Sequence, residues 1–219
     1  MDNLTDDELK EIAKQLRCPS GIKGDEVSEI MEETNSSMIL TTIEHLDLKM
    51  GDILFELGPG NGYHLGELIE KCKQVYAVDI SKLMIEKIKS RYKKEIEEKK
   101  LIPLVGDGKN INISKGAIDK GFTVNTIYFW EEPKRYLCEI SECFRPGGEF
   151  IITYAHKRFI ETMPFTQYGF NAYDEEQVES LCKETSFSII SQTSKIETVN
   201  SKIGKTVQRE FIVARLKKD

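Results

Sequence analysis

The stretch Glu56-Leu57-Gly58-Pro59-Gly60-Asn61-Gly62 leaves this chain few ways to fold. It follows an apolar run, Ile53-Leu54-Phe55, and precedes Tyr63 to Ile69, whose apolar residues recur at helical spacing. A strand, a tight turn and a helix start are read in that order. Glycine at every second position lets the turn enter positive φ and lets a ligand approach bare backbone. The helix start adds free N–H groups and a partial positive charge.

A pyrophosphate-binding loop places its third glycine three residues after the second. Counted from Gly60 and Gly62 that position is Leu65, and counted from Gly58 and Gly60 it is Tyr63, so the pattern fails. The carboxylate of Glu56 would also repel a pyrophosphate. It suits a ligand with an ammonium group and a single carboxylate, as in an amino acid. S-Adenosylmethionine has such an end, joined to a ribose and an adenine.

Two further acids fit that ligand. Gln74 to Val78 reads as a second short strand ending at Asp79, a spacing that brings a carboxylate to the neighbouring strand end, facing ribose hydroxyls. Leu101 to Val105 is a third apolar run, closed by Gly106-Asp107-Gly108. Three successive strand ends therefore carry an acid.

From about Gly51 to Tyr154 the chain resembles the class I S-adenosylmethionine-dependent methyltransferases, and within them the small-molecule branch that includes the quinone-biosynthesis enzymes. The matching pieces are ELGPGNG at 56–62, VYAVDIS at 75–81, LVGDG at 104–108, FTVNTIYFW at 122–130 and FRPGGEFII at 144–152. The resemblance implies that the loop of Gly58, Gly60 and Gly62 carries the methionine part of the cofactor, with Glu56 near its ammonium group. Asp79 would hold the ribose hydroxyls, Ile80 would pack on the adenine face and Asp107 would receive the adenine amino group. Asn125 would complete the cofactor-binding set. The product would be S-adenosylhomocysteine. The implied fold is α/β and Rossmann-like, a mostly parallel seven-stranded sheet with its last strand antiparallel, helices on both faces and an N-terminal helical cap.

The 219 residues are enough for one domain with decorations, read here as a cap over 1–50 and a cofactor-binding domain over 51–219. The net charge of −6 argues against nucleic acid, whose binding is dominated by phosphate neutralisation. The Lys93-Lys94 and Lys99-Lys100 pairs are interleaved with Glu95, Glu97 and Glu98 and read as a solvated helix face. Five cysteines without a C-x-x-C spacing argue against a disulfide framework and a zinc site. No apolar stretch approaches the roughly 20 residues that span a bilayer. The acidic start, Met1 to Glu8, lacks the basic beginning of a signal peptide. A cytoplasmic monomer or homodimer without a metal is expected.

Along the chain, Thr5 is placed to cap a first helix with Leu9, Ile12, Ala13 and Leu16 on one face. Asp25 is expected to cap a second, broken at Asn35-Ser36-Ser37. The pattern then predicts strand 52–57, helix 63–72, strand 74–79, helix 81–99, strand 101–105 and strand 118–124. A helix from Pro133 to Cys143, a turn at Arg145 to Gly148 and strand 149–155 follow. A helix capped by Asp174 and two strands near 187–195 and 206–215 close the chain, the last alternating through Val207, Arg209, Phe211, Val213 and Arg215.

Methyl transfer from a sulfonium is an in-line displacement. Alignment and water exclusion supply much of the rate, and a base is needed only for a protonated acceptor. Asn125 and Tyr128 lie where α/β sheets place ligands and are candidates for meeting the methyl or acceptor; His156 is a candidate base. His64 reads as a helix-end or solvent-facing histidine. Asn125 and Tyr128 also match the ends of the Asn-Pro-Pro-Tyr of amino-group methyltransferases, but Thr126 and Ile127 replace both prolines. The leading expectation is transfer to a small molecule. A noncatalytic cofactor-binding protein and an amino-group enzyme acting on protein or nucleic acid are the alternatives. A propylamine transferase is disfavoured, because 122–130 offers no acid for a polyamine.

Overall fold

Two helices precede the first strand. The computed structural model describes residues 4–200 and 206–219, so the first three residues of the acidic start lie outside it. Helix α1 (Asp6–Arg17) opens on a capping box: the Glu8 N–H donates to the Thr5 hydroxyl at 3.3 Å, and the Thr5 N–H donates to the Glu8 carboxylate at 2.7 Å. Its Leu9 and Leu16 pack on Phe165.

Helix α2 (Gly21–Glu44) corrects two expectations. Ser20, not Asp25, is its N-cap, and 35–37 do not break it. The hydroxyls of Thr34, Ser36 and Thr42 donate to the helix's own carbonyls three or four residues back. They therefore leave the ladder intact rather than compete with it from another conformation. Met38, fully buried, holds the middle of the helix on the sheet.

The strands are β1 (Ile53–Leu57), β2 (Gln74–Asp79), β3 (Leu101–Val105), β4 (Ile118–Val124), β5 (Phe144–Ala155), β6 (Phe187–Asn200) and β7 (Thr206–Lys218). They form one sheet in the order β3-β2-β1-β4-β5-β7-β6. β1 to β5 pair in parallel, while β7 runs antiparallel to both β5 and β6. This is the mostly parallel seven-stranded sheet expected. Helices α3 (Leu65–Lys71) and α4 (Lys82–Arg91) share one core with α2. The other face is covered by α6 (Pro133–Cys143) and α8 (Glu175–Cys182).

The single helix expected over 81–99 is two, because α5 (Lys93–Glu97) restarts after Tyr92 leaves helical geometry at φ −115°, ψ 41°. The Tyr92 hydroxyl donates to the Gly62 carbonyl at 2.8 Å and accepts from the Gly66 N–H at 3.1 Å, which draws its ring under the glycine loop. The turn expected at 145–148 lies inside β5, where the register against β4 shifts between Ile118 and Lys120. A short helix, α7 (Lys157–Ile160), follows β5. β6 and β7 run further than expected. Among the described residues no helix is long and apolar enough to cross a membrane.

Candidate functional site

A cavity of about 380 Å³ opens at the carboxyl ends of β1, β2, β4 and β5, a size within the usual range for small-ligand sites. The glycine loop after β1 forms its floor. Gly58, Gly60 and Gly62 have φ of +76°, +58° and +69°. A Cβ on Gly58 would lie 2.4 Å from Thr126 Cγ2, and one on Gly62 would meet Ile88 at 2.6 Å. Gly60 differs: a Cβ there meets nothing within 4 Å, so its bare backbone faces open cavity. That is the cradle a ligand lying on the loop needs.

The three acids rim this floor in different states. Asp79 is buried; one carboxylate oxygen accepts the Ser81 N–H at 2.8 Å and the other the Gly60 N–H at 3.2 Å. Burial pushes its pKa up to about 6, against the pull of those two N–H donors and with a further push from Glu56. Each oxygen keeps a lone pair for a hydroxyl donor. Asp107 is exposed and accepts both backbone N–H groups of Lys109 and Asn110 and the Asn110 amide. Those bonds pull its pKa down to about 2. Glu56 is 2% exposed and is met by His64 Nε2 at 2.8 and 2.9 Å. His64 is thus a helix-end residue, as expected, the N-cap of α3, but its ring turns inward to Glu56 rather than to solvent. Ile80 lines the cavity between Asp79 and Gly106.

Asn125 follows β4 with φ +58°. Its amide group is fully engaged: Nδ2 donates to Asn35 Oδ1 at 3.1 Å and to Met38 Sδ at 3.4 Å, and Oδ1 accepts from the Tyr128 hydroxyl at 2.8 Å and the Ala155 N–H at 3.2 Å. Asn125, Tyr128 and Ala155 all line the cavity, so this cluster joins cap, β4 and β5 at its centre. His156 does not line it. Nε2 of His156 meets Glu175 at 3.1 Å, and Nδ1 accepts the Arg158 N–H as the N-cap of α7. Of the aromatic residues at and after the end of β5, Phe159, Phe165 and Phe170 line the cavity, Tyr154 and Tyr173 are core, and Tyr168 lies outside under Lys10.

Helix α2 roofs the cavity through Ser28, Met31, Glu32, Asn35 and Ile39. Asn61 Nδ2 donates to Glu32 at 2.5 Å, and the Ser81 hydroxyl donates to the Pro19 carbonyl at 2.5 Å, so loop and strand end are tied to the cap. Among the liners that the sequence did not single out, two matter most. Tyr136, on α6, is 3% exposed. Arg209, on β7, is 4% exposed. Its signal was available: strand alternation places Arg209 on the same face as buried Phe211. Among the described residues no group of acids, histidines and cysteines is arranged to hold a metal ion.

Comparison with known proteins bears on this site. Residues 55–152 match the family described as a methyltransferase domain. An uncharacterized methyltransferase of Bacillus subtilis (strain 168), YdaC, is 26% identical over 126 residues, covering 57% of this chain and 67% of the relative. A chain from the complex between the Haloferax volcanii Trm112 methyltransferase activator and its methyltransferase superposes with a TM-score of 0.72 at 15% identity, covering 97% of this chain and 99% of that one. Geranyl diphosphate C-methyltransferase from Streptomyces coelicolor A3(2), solved with S-adenosyl-L-homocysteine, gives a TM-score of 0.67 at 11% identity over 84% of this chain and 76% of that one. At these identities the solved structures share the fold.

Proposed function

We propose that this chain, which belongs to the class I S-adenosylmethionine-dependent methyltransferases, moves the methyl group of its cofactor to a small-molecule acceptor. The observation that carries the acceptor size is the roof. Helix α2 lies over the cavity, and the end beyond Asn125 is lined by Phe129, Phe159, Met163 and Phe170, an apolar recess sized for a small molecule. The net charge of −6 supports the same reading, since a nucleic acid would meet net repulsion.

In this reading the cofactor's methionine end lies on Gly58, Gly60 and Gly62, with its ammonium group toward Glu56. Asp79 accepts the ribose hydroxyls, Ile80 packs on the adenine, and Asp107 meets the adenine amino group. Residues 1–50 act as the cap and 51–219 as the cofactor-binding domain. S-Adenosylmethionine supplies an electrophilic methyl on a sulfonium when bound. The chain's residues orient the acceptor behind that methyl and exclude water. Asn125, held in place by Tyr128, Asn35 and Met38, fixes the wall between the two ligands. His64 is committed to Glu56 and His156 to α7, so neither is assigned as a base. Five free thiols suit a reducing cytoplasm.

The Asn125–Tyr128 hydrogen bond favours the alternative, an amino group of a protein or nucleic acid as acceptor, as do short matches to relatives named as a ribosomal RNA methyltransferase and a dimethyladenosine transferase. The test begins with calorimetric titration of S-adenosylmethionine. Methyl-labelled cofactor is then incubated with small-molecule, RNA and protein fractions of a cell extract. Label in the small-molecule fraction is expected. Label confined to RNA or protein selects the alternative, and binding without any transfer selects a noncatalytic protein.

A further inference from the structure

Arg209 is a buried cation in the wall of the cavity, and its guanidinium is only partly spent. Nε and Nη2 both donate to one oxygen of Glu197, at 2.8 and 2.6 Å, across the β6–β7 pair. Nη2 also donates to the Thr34 carbonyl of the cap at 2.6 Å. Nη1 makes no hydrogen bond among the described residues, yet the residue is 4% exposed and faces the cavity. A guanidinium keeps its charge, and the Nη1 donors open to the cavity rather than being sealed without a partner. They are placed to donate to a ligand oxygen.

The placement says which ligand. β7 lies beyond β4 and β5 from β1, three strand spacings or about 14 Å from the Glu56 end. The cofactor's anchor points are at β1 and β2, so Arg209 faces the acceptor. Its positive charge reaches the Tyr128 hydroxyl, where it partly offsets the upward push of burial on that group. The remainder of this end is apolar, and the acids Glu32, Glu56 and Asp79 lie toward the cofactor. Acids thus gather at the cofactor end, while the far wall presents the remaining N–H donors of Arg209, a cation paired with Glu197.

We propose that the methyl acceptor is a small anion, an apolar body bearing a carboxylate or phosphate whose oxygens accept from Nη1 of Arg209. The inference rests on the small-molecule reading above. The apolar body fills the space beside Phe129 and Phe170. The oxyanion completes the guanidinium and fixes which atom of the acceptor points at the methyl group. Glu197 is a positioning residue here, since it orients Arg209 without lining the cavity.

The test uses the full chain, first shown by calorimetry to bind S-adenosylmethionine. The small-molecule fraction of a cell extract is split on a strong anion exchanger, and each pool is incubated with methyl-labelled cofactor. Label is expected in the retained pool; phosphatase treatment that moves it to the flow-through identifies a phosphate, and resistance identifies a carboxylate. Label in the flow-through, or in neither pool from protein that binds cofactor, overturns the proposal. Protein that fails to bind cofactor overturns the underlying reading instead. With the active pool as substrate, Arg209→Lys keeps the charge but shifts its donors. It is expected to raise the acceptor KM at least tenfold and leave the cofactor Kd within twofold. An unchanged KM in a folded R209K protein also overturns the proposal.

Discussion

Nε2 of His64 sits between the two carboxylate oxygens of Glu56, 2.8 Å from one and 2.9 Å from the other. Burial works against the imidazolium, but the charge and hydrogen bond of Glu56, helped by Glu32 and Glu67, hold the His64 pKa above its ordinary 6.5. The stability this pair contributes is complete below about 6.5 and is lost as pH rises through the raised value. A cofactor ammonium arriving at Glu56 repels the imidazolium. Binding is therefore expected to release a proton near neutral pH, and affinity is expected to rise as pH climbs through the His64 pKa. Calorimetry in buffers of different ionisation enthalpy measures this. His64→Gln should reduce the buffer dependence at about pH 7 and above, leaving the smaller release from Asp79; binding enthalpies that are already identical across buffers in the unmodified protein count against it.

Asp79 is shifted in the same direction as His64, at lower pH. Its pKa, pushed up to about 6 by burial, lies above the ordinary 3.8. In the cofactor-free protein its stabilising contribution is full below about 3.8 and is lost as pH rises through about 6. Ribose hydroxyls want the ionised form, so cofactor affinity should fall as pH drops below about 6. Asp79→Asn removes the charged acceptor and should weaken binding by about 1–3 kcal/mol at neutral pH, while flattening the acid limb. Titrations on both sides of pH 6 check it; an Asn variant that binds like the parent removes Asp79 from the ribose role.

The parallel sheet was legible because its strands are short apolar runs closed by glycines and acids: 74–79, 101–105 and 118–124 match the observed strands end for end. The three acids were legible for the same reason, since each stands at a strand's carboxyl end. Long-range contacts were not. The break at Tyr92 depends on its hydroxyl reaching Gly62 and Gly66, about thirty residues away in sequence. The continuity of α2 through Asn35-Ser36-Ser37 depends on burial of Met38 against the sheet, which local propensity does not see. His64 is the helix-end residue read from the sequence, but its pairing with Glu56 was not visible, because that partner belongs to the preceding strand. Arg209 was counted as one step of an alternating strand, although that alternation turns a charge inward.

The glycine loop separates a packing role from a binding role. Gly58→Ala places a Cβ 2.4 Å from Thr126 Cγ2 at φ +76°, whereas Gly60→Ala meets nothing within 4 Å at φ +58°. Both bear the left-handed penalty of about 1 kcal/mol or more. Overpacking should cost Gly58→Ala about 1–3 kcal/mol beyond that. Gly60→Ala should lose no more stability than the left-handed penalty yet lose most cofactor binding, because its methyl projects into the cradle. Urea denaturation and calorimetry on the two variants test the contrast. Adding Thr126→Ser to Gly58→Ala, which removes the clashing Cγ2 and keeps the hydroxyl, should recover part of the lost stability; no recovery places the clash elsewhere.

Asn125 combines backbone and side-chain demands that substitutions can split. Its φ of +58° suits asparagine or glycine, and its amide bonds four groups from α2, β5 and Tyr128. Asn125→Gly keeps the backbone and removes the amide, which should cost about 1–3 kcal/mol in urea denaturation through the buried partners left behind. Asn125→Ala should cost about 1 kcal/mol more, from the left-handed conformation alone. Tyr128→Phe deletes the hydroxyl that donates to Asn125 and accepts from the Ala155 N–H. It should free the amide to rotate, lowering kcat about ten- to a hundredfold while the cofactor Kd stays near the parent value. A Tyr128→Phe enzyme with unchanged kcat and lowered stability would restrict this cluster to holding β4, β5 and the cap together.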